Sequence, residues 1–399
     1  MNIQYNKLFP IVAFITFFLG LNVGCDAQKN FKPEIIKGKI SFNGKLNKKI
    51  IMTNRETAKL KDNSIIMYAK PRQEGENFTL NNTQSLLIPN ILEDKENLLF
   101  HDSTQWIIAN GCKSIRIIPL QKESANTQDS KTKDSQSNSI KLDRASVQEI
   151  DMQGCVVAAS IKDFLIAGVL GDNTIFLYDL MKQDFIFREK GEAIYAISSF
   201  VANPVMMDTL AIFPTLDGRL HIVDMQQFKS VKNIIVNTDK FLNNIIYLRV
   251  EKDELVAATQ KRLYILMRGE SYNKDIEIRD IYFDGQYIYI LSLNGFVYQF
   301  DKTLQTIHSI KLPYANLNGI LIKNNHLYTF ENSGGYFIDL NLSDFQYDVY
   351  QLQFGTDRWF SKESTIFYTP NILYINKRIL DINRDYKVKI REKKQQKSK

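Results

Sequence analysis

The chain has 399 residues, 44% of them hydrophobic, with 25 Phe, 19 Tyr and only nine Pro. That is enough apolar material for a sizeable core, and the aromatic and β-branched content leans toward strands. Of the formal charge of +7, +6 lies in residues 384–399, "RDYKVKIREKKQQKSK", so the body is near neutral and a nucleic-acid-binding role is disfavoured.

Residues 1–24 read as an export signal: one lysine and no acid in the first seven positions, then an uncharged run from Leu8 to Gly24. The run is barely long enough to span a bilayer as a permanent helix. "LNVGC", ending at Cys25, resembles the lipobox of bacterial lipoproteins, although Asn22 stands where Leu is usual and Leu21 is one place early. That resemblance implies lipidation of Cys25, which would then begin the mature protein. Cleavage after Ala27 and an uncleaved anchor remain alternatives. A lipid-anchored chain facing the periplasm is the expected location, with the outer membrane favoured over the inner, though Asp26 directly after the cysteine leaves that choice open. Residues 25–33 then form a linker, 34–386 the folded body, and 387–399 a basic tail that is either solvated or in contact with anionic lipid or an acidic partner surface.

Two further cysteines, Cys112 and Cys155, each follow a glycine. In an oxidising compartment they could form a disulfide; the alternative is two small buried hydrophobes. Between them, residues 121–139, "QKESANTQDSKTKDSQSNS", form a polar low-complexity insert that reads as a disordered loop.

The body repeats itself. "LGDNTIFLYDL" (170–180), "TLDGRLHIVDM" (215–225), "SLNGFVYQFDK" (292–302) and "NSGGYFIDLN" (332–341) each place a tight-turn pair before an apolar run and an aspartate, and another apolar run precedes each. Such a pattern signals a β-hairpin, with Gly218 and Gly295 supplying the positive φ that the turn requires. Weaker copies bring the marks to Ala69, Pro119, Asp179, Asp224, Met267, Asp301, Asp339 and Asp381, at intervals of 50, 60, 45, 43, 34, 38 and 42 residues. The longest interval holds the polar insert. Short strands repeated at this period cannot bury their sheet faces singly, and a closed ring satisfies every unit. The fold expected is an all-β propeller, with eight four-stranded blades, seven as the alternative, and an early strand near 34–42 closing the ring against the last blade.

A lipobox-like start followed by one such ring resembles the BamB-type lipoproteins and, more broadly, the pyrroloquinoline-quinone-type propeller repeats. The first resemblance implies a non-enzymatic scaffold within the outer-membrane β-barrel assembly machinery, a monomer bound into an envelope complex. The polar insert, basic tail and uneven blade lengths depart from that pattern. The second implies a quinone docked among blade tryptophans, but only Trp106 and Trp359 occur, so no cofactor is expected.

Chemistry-bearing motifs are sparse. His101, His221, His308 and His326 lie too far apart for a zinc spacing, and no metal site is expected; His221 and His326 read as satisfied structural histidines in strands. No nucleophile elbow, phosphate loop or HExxH helix occurs, and no catalytic residue is assigned. Asp179, Asp224, Asp301 and Asp339 recur at one position of the repeat and are expected to cap their own turns. Asp172, Asp217 and Asp284 fall in loops. The function expected is a membrane-tethered scaffold for protein-protein interactions; a ligand-binding or enzymatic propeller and a surface adhesin are the alternatives.

Overall fold

The computed structural model describes residues 30–68, 85–89, 91–102, 104–120, 146–194, 200–239, 241–354 and 364–390. Cys25, the insert at 121–139, Trp359 and the tail beyond 390 lie outside them. Among the described residues there is no α-helix.

Eight sheets follow one another along the chain as eight blades. Blade 1 covers 50–88, blade 2 covers 96–151, blade 3 covers 156–190 and blade 4 covers 205–235. Blade 5 covers 247–275, blade 6 covers 278–311, blade 7 is built on 317–353 and blade 8 on 366–381. Within a blade the strands pair antiparallel in chain order, and the first strands of neighbouring blades pack against one another around a central channel. The repeat marks coincide with the ends of third strands: Pro119, Asp179, Asp224, Met267 and Asp381 are the last residues of theirs, and Ala69, Asp301 and Asp339 fall within two residues of one. The hairpins seen in the sequence are therefore the second and third strands of each blade, and the polar insert falls between the third and fourth strands of blade 2.

The core is a ring of layers between blades. Each of the eight buried clusters draws on two neighbouring blades, as where Ile107 and Ile117 of blade 2 meet Phe176 and Ile166 of blade 3, or Phe330 and Phe337 of blade 7 meet Leu373 and Leu380 of blade 8. Burying one such side chain contributes roughly 1.5–3 kcal/mol, but only when the next blade is present. Polar bolts add to these layers. The buried Lys59 of blade 1 donates from Nζ to the carbonyls of Glu93, Asp94 and Glu96 at 2.7, 3.0 and 2.9 Å, tying blade 1 to the entry of blade 2.

Ring closure differs from the expectation of an early strand at 34–42 on the last blade. The strand Gly38–Ser41 instead runs parallel to the outer strand of blade 7, Tyr347–Gln353, and Val388–Ile390 pairs antiparallel with it, so blade 7 carries six strands. Residues Gly44–Lys45 close the ring as the outermost strand of blade 8. Asn43 fastens the junction, donating from Nδ2 to the Asp381 carbonyl at 2.8 Å and accepting the Asp381 N–H on Oδ1 at 2.9 Å. Period-2 alternation cannot distinguish two successive short strands that serve different blades. The expected tail at 387–399 likewise begins with residues that are part of a sheet.

Candidate interaction surfaces

The first strands bring side chains from distant parts of the sequence into the channel. Arg55, in the turn after the first strand of blade 1, donates to the Ile281 carbonyl of blade 6, 226 residues away, and its Nη2 lies 3.5 Å from Asp280 Oδ1. Tyr368 of blade 8 donates its hydroxyl to Asp280 Oδ2, and the Tyr247 ring of blade 5 lies 4.8 Å below the Arg55 guanidinium. None of these blades neighbours blade 1 and blade 6 alike, so the groups meet only by reaching across the channel. Gly319 of blade 7 makes room for them: a Cβ there would come within 3.1 Å of the Tyr368 ring. Asn203, leading into blade 4, makes a second crossing to the Leu99 carbonyl of blade 2 at 2.9 Å.

Arg55 is surrounded by protein yet keeps 30% of its side-chain surface, while Asp280 keeps 9%, as expected for groups inside an open-ended channel. Burial works against the Arg55 charge, but Tyr368 and Asp280 hold its pKa above the ordinary value. Burial and the adjacent Asp280 push the Tyr368 hydroxyl well up, so it remains a donor. Burial also raises Tyr282, on the same strand as Asp280, to about 12. The arrangement ties blades 1, 5, 6 and 8 together at this level of the channel. Its chemistry is that of a structural brace, a carboxylate already fully engaged by a cation and a phenol.

At one mouth, the first strands of blades 1 and 8 flank an open cleft of about 610 Å³, lined mainly by polar groups including Thr53, Asn318, Ser364 and Thr365. No group of three or more metal-ligating side chains occurs among the described residues.

Three of the four repeat aspartates do what the repeat implies. Asp179 accepts the N–H groups of Met181 and Lys182, Asp224 those of Gln226 and Gln227, and Asp301 those of Thr303 and Gln305. Asp339 departs from the pattern: it pairs with His326 Nδ1 at 2.5 Å across the sheet, and Asn341 caps the turn by accepting the Ser343 N–H. Asp172, Asp217 and Asp284 also bond within their own turns, to Thr174 N–H, the Thr215 hydroxyl, and the Gln286 and Tyr287 N–H groups respectively. Gly218 and Gly295 have φ of 82° and 83°, as the hairpin turns require.

Cys112 and Cys155 are joined in a disulfide, with Cys112 exposed and Cys155 half-buried, which overturns the reading as small buried hydrophobes. The bond brackets the polar insert, pinning the second hairpin turn of blade 2 to the approach of blade 3. His221 is buried, but neither ring nitrogen makes a hydrogen bond; Nδ1 lies 3.5 Å from Glu189 Oε1, so it is not the satisfied histidine expected. Trp106 is fully buried between blades 1 and 2 and faces no channel.

The outer strands present further surface. The fourth strand of blade 4, Lys229–Ile235, is exposed at six of its seven positions and includes Val231 and Ile235. No helix among the described residues is long and apolar enough to cross a membrane.

Two plasminogen-binding proteins PgbB, from two strains of Helicobacter pylori, are 35% and 34% identical to this chain over 405 aligned residues, covering 96% of it and 73% and 72% of their own lengths. The chain belongs to the PgbB family. No protein-family profile matches it. Among solved structures, BamB from Moraxella catarrhalis superposes with a TM-score of 0.52 at 14% identity, covering 84% of this chain and 99% of that one. The computationally designed Ika8 protein gives 0.53 at 12%, covering 87% and 100%. The C-terminal WD40 domain of Sif2 gives 0.54 at 10%, covering 87% and 99%. At these identities the likenesses show the propeller fold alone.

Proposed function

We propose that this propeller is a non-enzymatic binding protein of the bacterial envelope whose partner is plasminogen. The observation that carries the proposal is the 35% identity spread over 96% of the chain to proteins named for that activity. The structure supports a protein partner rather than a small ligand in the channel: side chains from several blades already occupy it, and the rigid ring offers broad outer strands and loops. Propellers use such surfaces to hold partners without moving the scaffold. The likeness to BamB supports the ring and does not carry its assembly machinery with it.

In this reading Cys25 is a lipid tether, and the ring is presented at the cell surface, where an extracellular protein could reach it. Intact cells with and without the gene provide the test. Capture of plasminogen that depends on the gene, together with protease removal of the ring from unbroken cells, would support the proposal. A ring that stays protected until the outer membrane is opened would overturn the surface reading. Recovery of the chain with the barrel-assembly machinery after crosslinking in cells would favour the scaffold role implied by the BamB resemblance.

A further inference from the structure

The two strands added to the outside of blade 7 carry an electrostatic conflict. Lys39 and Lys389 are direct cross-strand partners in the pair Gly38–Ser41 and Val388–Ile390. Directly opposed residues share a face, with Cβ atoms roughly 5 Å apart, and like charges there destabilise the sheet. Lys387, two residues before Lys389, joins the same face, since its carbonyl continues the ladder by accepting the Ser41 N–H at 3.3 Å. All three lysines are exposed, and none makes an ion pair among the described residues. Among the carboxylates near this rim, Asp348 is engaged by Lys37 at 2.6 Å, and the exposed Glu34 and Asp385 form no ion pair with the three lysines.

Register adds a second observation. Gly38 is paired with Ile390, so the chain enters the sheet from the direction of Cys25 at the same point where it leaves toward residue 391. Phe31 is buried between blades 6 and 7, so the chain is held from there on and only six positions lead back to Cys25, a reach of at most about 20 Å. Beyond Ile390 the sequence continues "REKKQQKSK", five more basic residues against one acid. Val388 and Ile390 alternate with the lysines and are paired with Ile40 and Gly38, so they stand exposed on the opposite face of the strand pair. A tether at Cys25 would keep the blade 6 and blade 7 side of the ring, which carries this rim, near the membrane.

We propose that the outer strand pair of blade 7 is a docking face for an anionic lipid surface, with Lys39, Lys387 and Lys389 meeting lipid phosphates. The orientation argument rests on the lipid-tether reading of Cys25; the lysine geometry does not. Bound phosphate would relieve the repulsion between Lys39 and Lys389, which the bare sheet leaves standing. A single chain anchors weakly, and a lipid combined with a basic patch anchors firmly.

Partition of the purified full chain onto vesicles of phosphatidylglycerol, compared with phosphatidylcholine, tests the face. The ratio between the two removes any contribution from apolar insertion, and therefore from the tether or the leader. Each of Lys39→Gln, Lys387→Gln and Lys389→Gln should lower the ratio about fivefold, and the triple variant about a hundredfold. Lys39→Glu keeps the folding question separate, because it turns the like-charged pair into an attractive one. Its melting temperature should match or exceed that of the wild type while its preference for phosphatidylglycerol falls. A wild-type chain without that preference, or a triple variant that retains it, would overturn the proposal. Loss of plasminogen binding in the triple variant with an unchanged vesicle ratio would also overturn it, assigning the face to a protein partner. The tether is read independently: release of a Cys25→Ala chain from membranes supports it, and a Cys25→Ala chain that stays membrane-bound after a high-salt wash overturns it.

Discussion

Replacing Asp280 with alanine should destabilise the ring by removing the group on which three blades converge. Asp280 keeps 9% of its side-chain surface and meets both Arg55 and Tyr368, so its loss leaves a cation and a phenol hydroxyl unpartnered. Removing one member of a buried ion pair costs about 3–5 kcal/mol. Arg55 retains 30% exposure, its bond to the Ile281 carbonyl and its contact with Tyr247, which lowers the expectation to roughly 2–3 kcal/mol. Tyr368→Phe deletes one hydrogen bond to a charged group, about 1.5 kcal/mol. In the double variant the two losses should fall short of additive by about 1 kcal/mol, because both act on one carboxylate. Chemical denaturation of the four proteins of the cycle reads these values. Thermal unfolding should show the single Asp280→Ala change as a drop of roughly 2–4 °C. An Asp280→Ala protein as stable as the wild type, or a cycle with no coupling, would refute the brace.

The Cys112–Cys155 bond closes a loop of 43 residues, for which chain entropy sets a ceiling near 4 kcal/mol; the double serine variant should unfold at lower denaturant, and the wild-type chain should migrate faster on a non-reducing gel. Gly295→Ala should cost roughly 2–4 kcal/mol, because φ is 83° and the added Cβ would lie 2.3 Å from the Leu312 carbonyl oxygen, and equilibrium unfolding measures the loss. Burial opposes the Asp301 charge, but hydrogen bonds from Thr303 and Gln305 hold its carboxyl below the ordinary value. Its contribution is therefore present above the unfolded-state value near 4 and disappears as the pH falls through the depressed folded-state value. Acid titration of stability should accordingly be shallower for Asp301→Asn than for the wild type.

The blade architecture was legible because it is written locally. An apolar run, a turn residue at positive φ, a second run and a capping aspartate fall within a dozen residues, and third-strand ends such as Pro119, Asp179 and Asp381 lie where the repeat puts them. Features that depend on contacts between blades were not legible. Arg55 and Asp280 are 225 positions apart, and a lone arginine in a turn carries no mark of the carboxylate it will meet. Asp339 was misplaced by its resemblance to the other repeats: two residues further on, Asn341 offers the same side-chain oxygen to the turn, which frees Asp339 to pair with His326. The closing strand was off by a few positions because 38–41 and 44–45 are both short and flank a turn. Spacing could not establish the disulfide, since bonding depends on blade 2 folding Cys112 back toward the start of blade 3. The sequence pattern marked turns well and surfaces poorly, so the lysine pair on blade 7 emerged only from strand register.

Equilibrium binding of the purified full chain to immobilised plasminogen, with serum albumin as the control surface, tests the central claim most directly. The account predicts saturable binding to plasminogen that survives Asp280→Asn, a change confined to the channel, and no binding to albumin. Equal retention on both surfaces, or none on either by a chain shown to be folded, would contradict it.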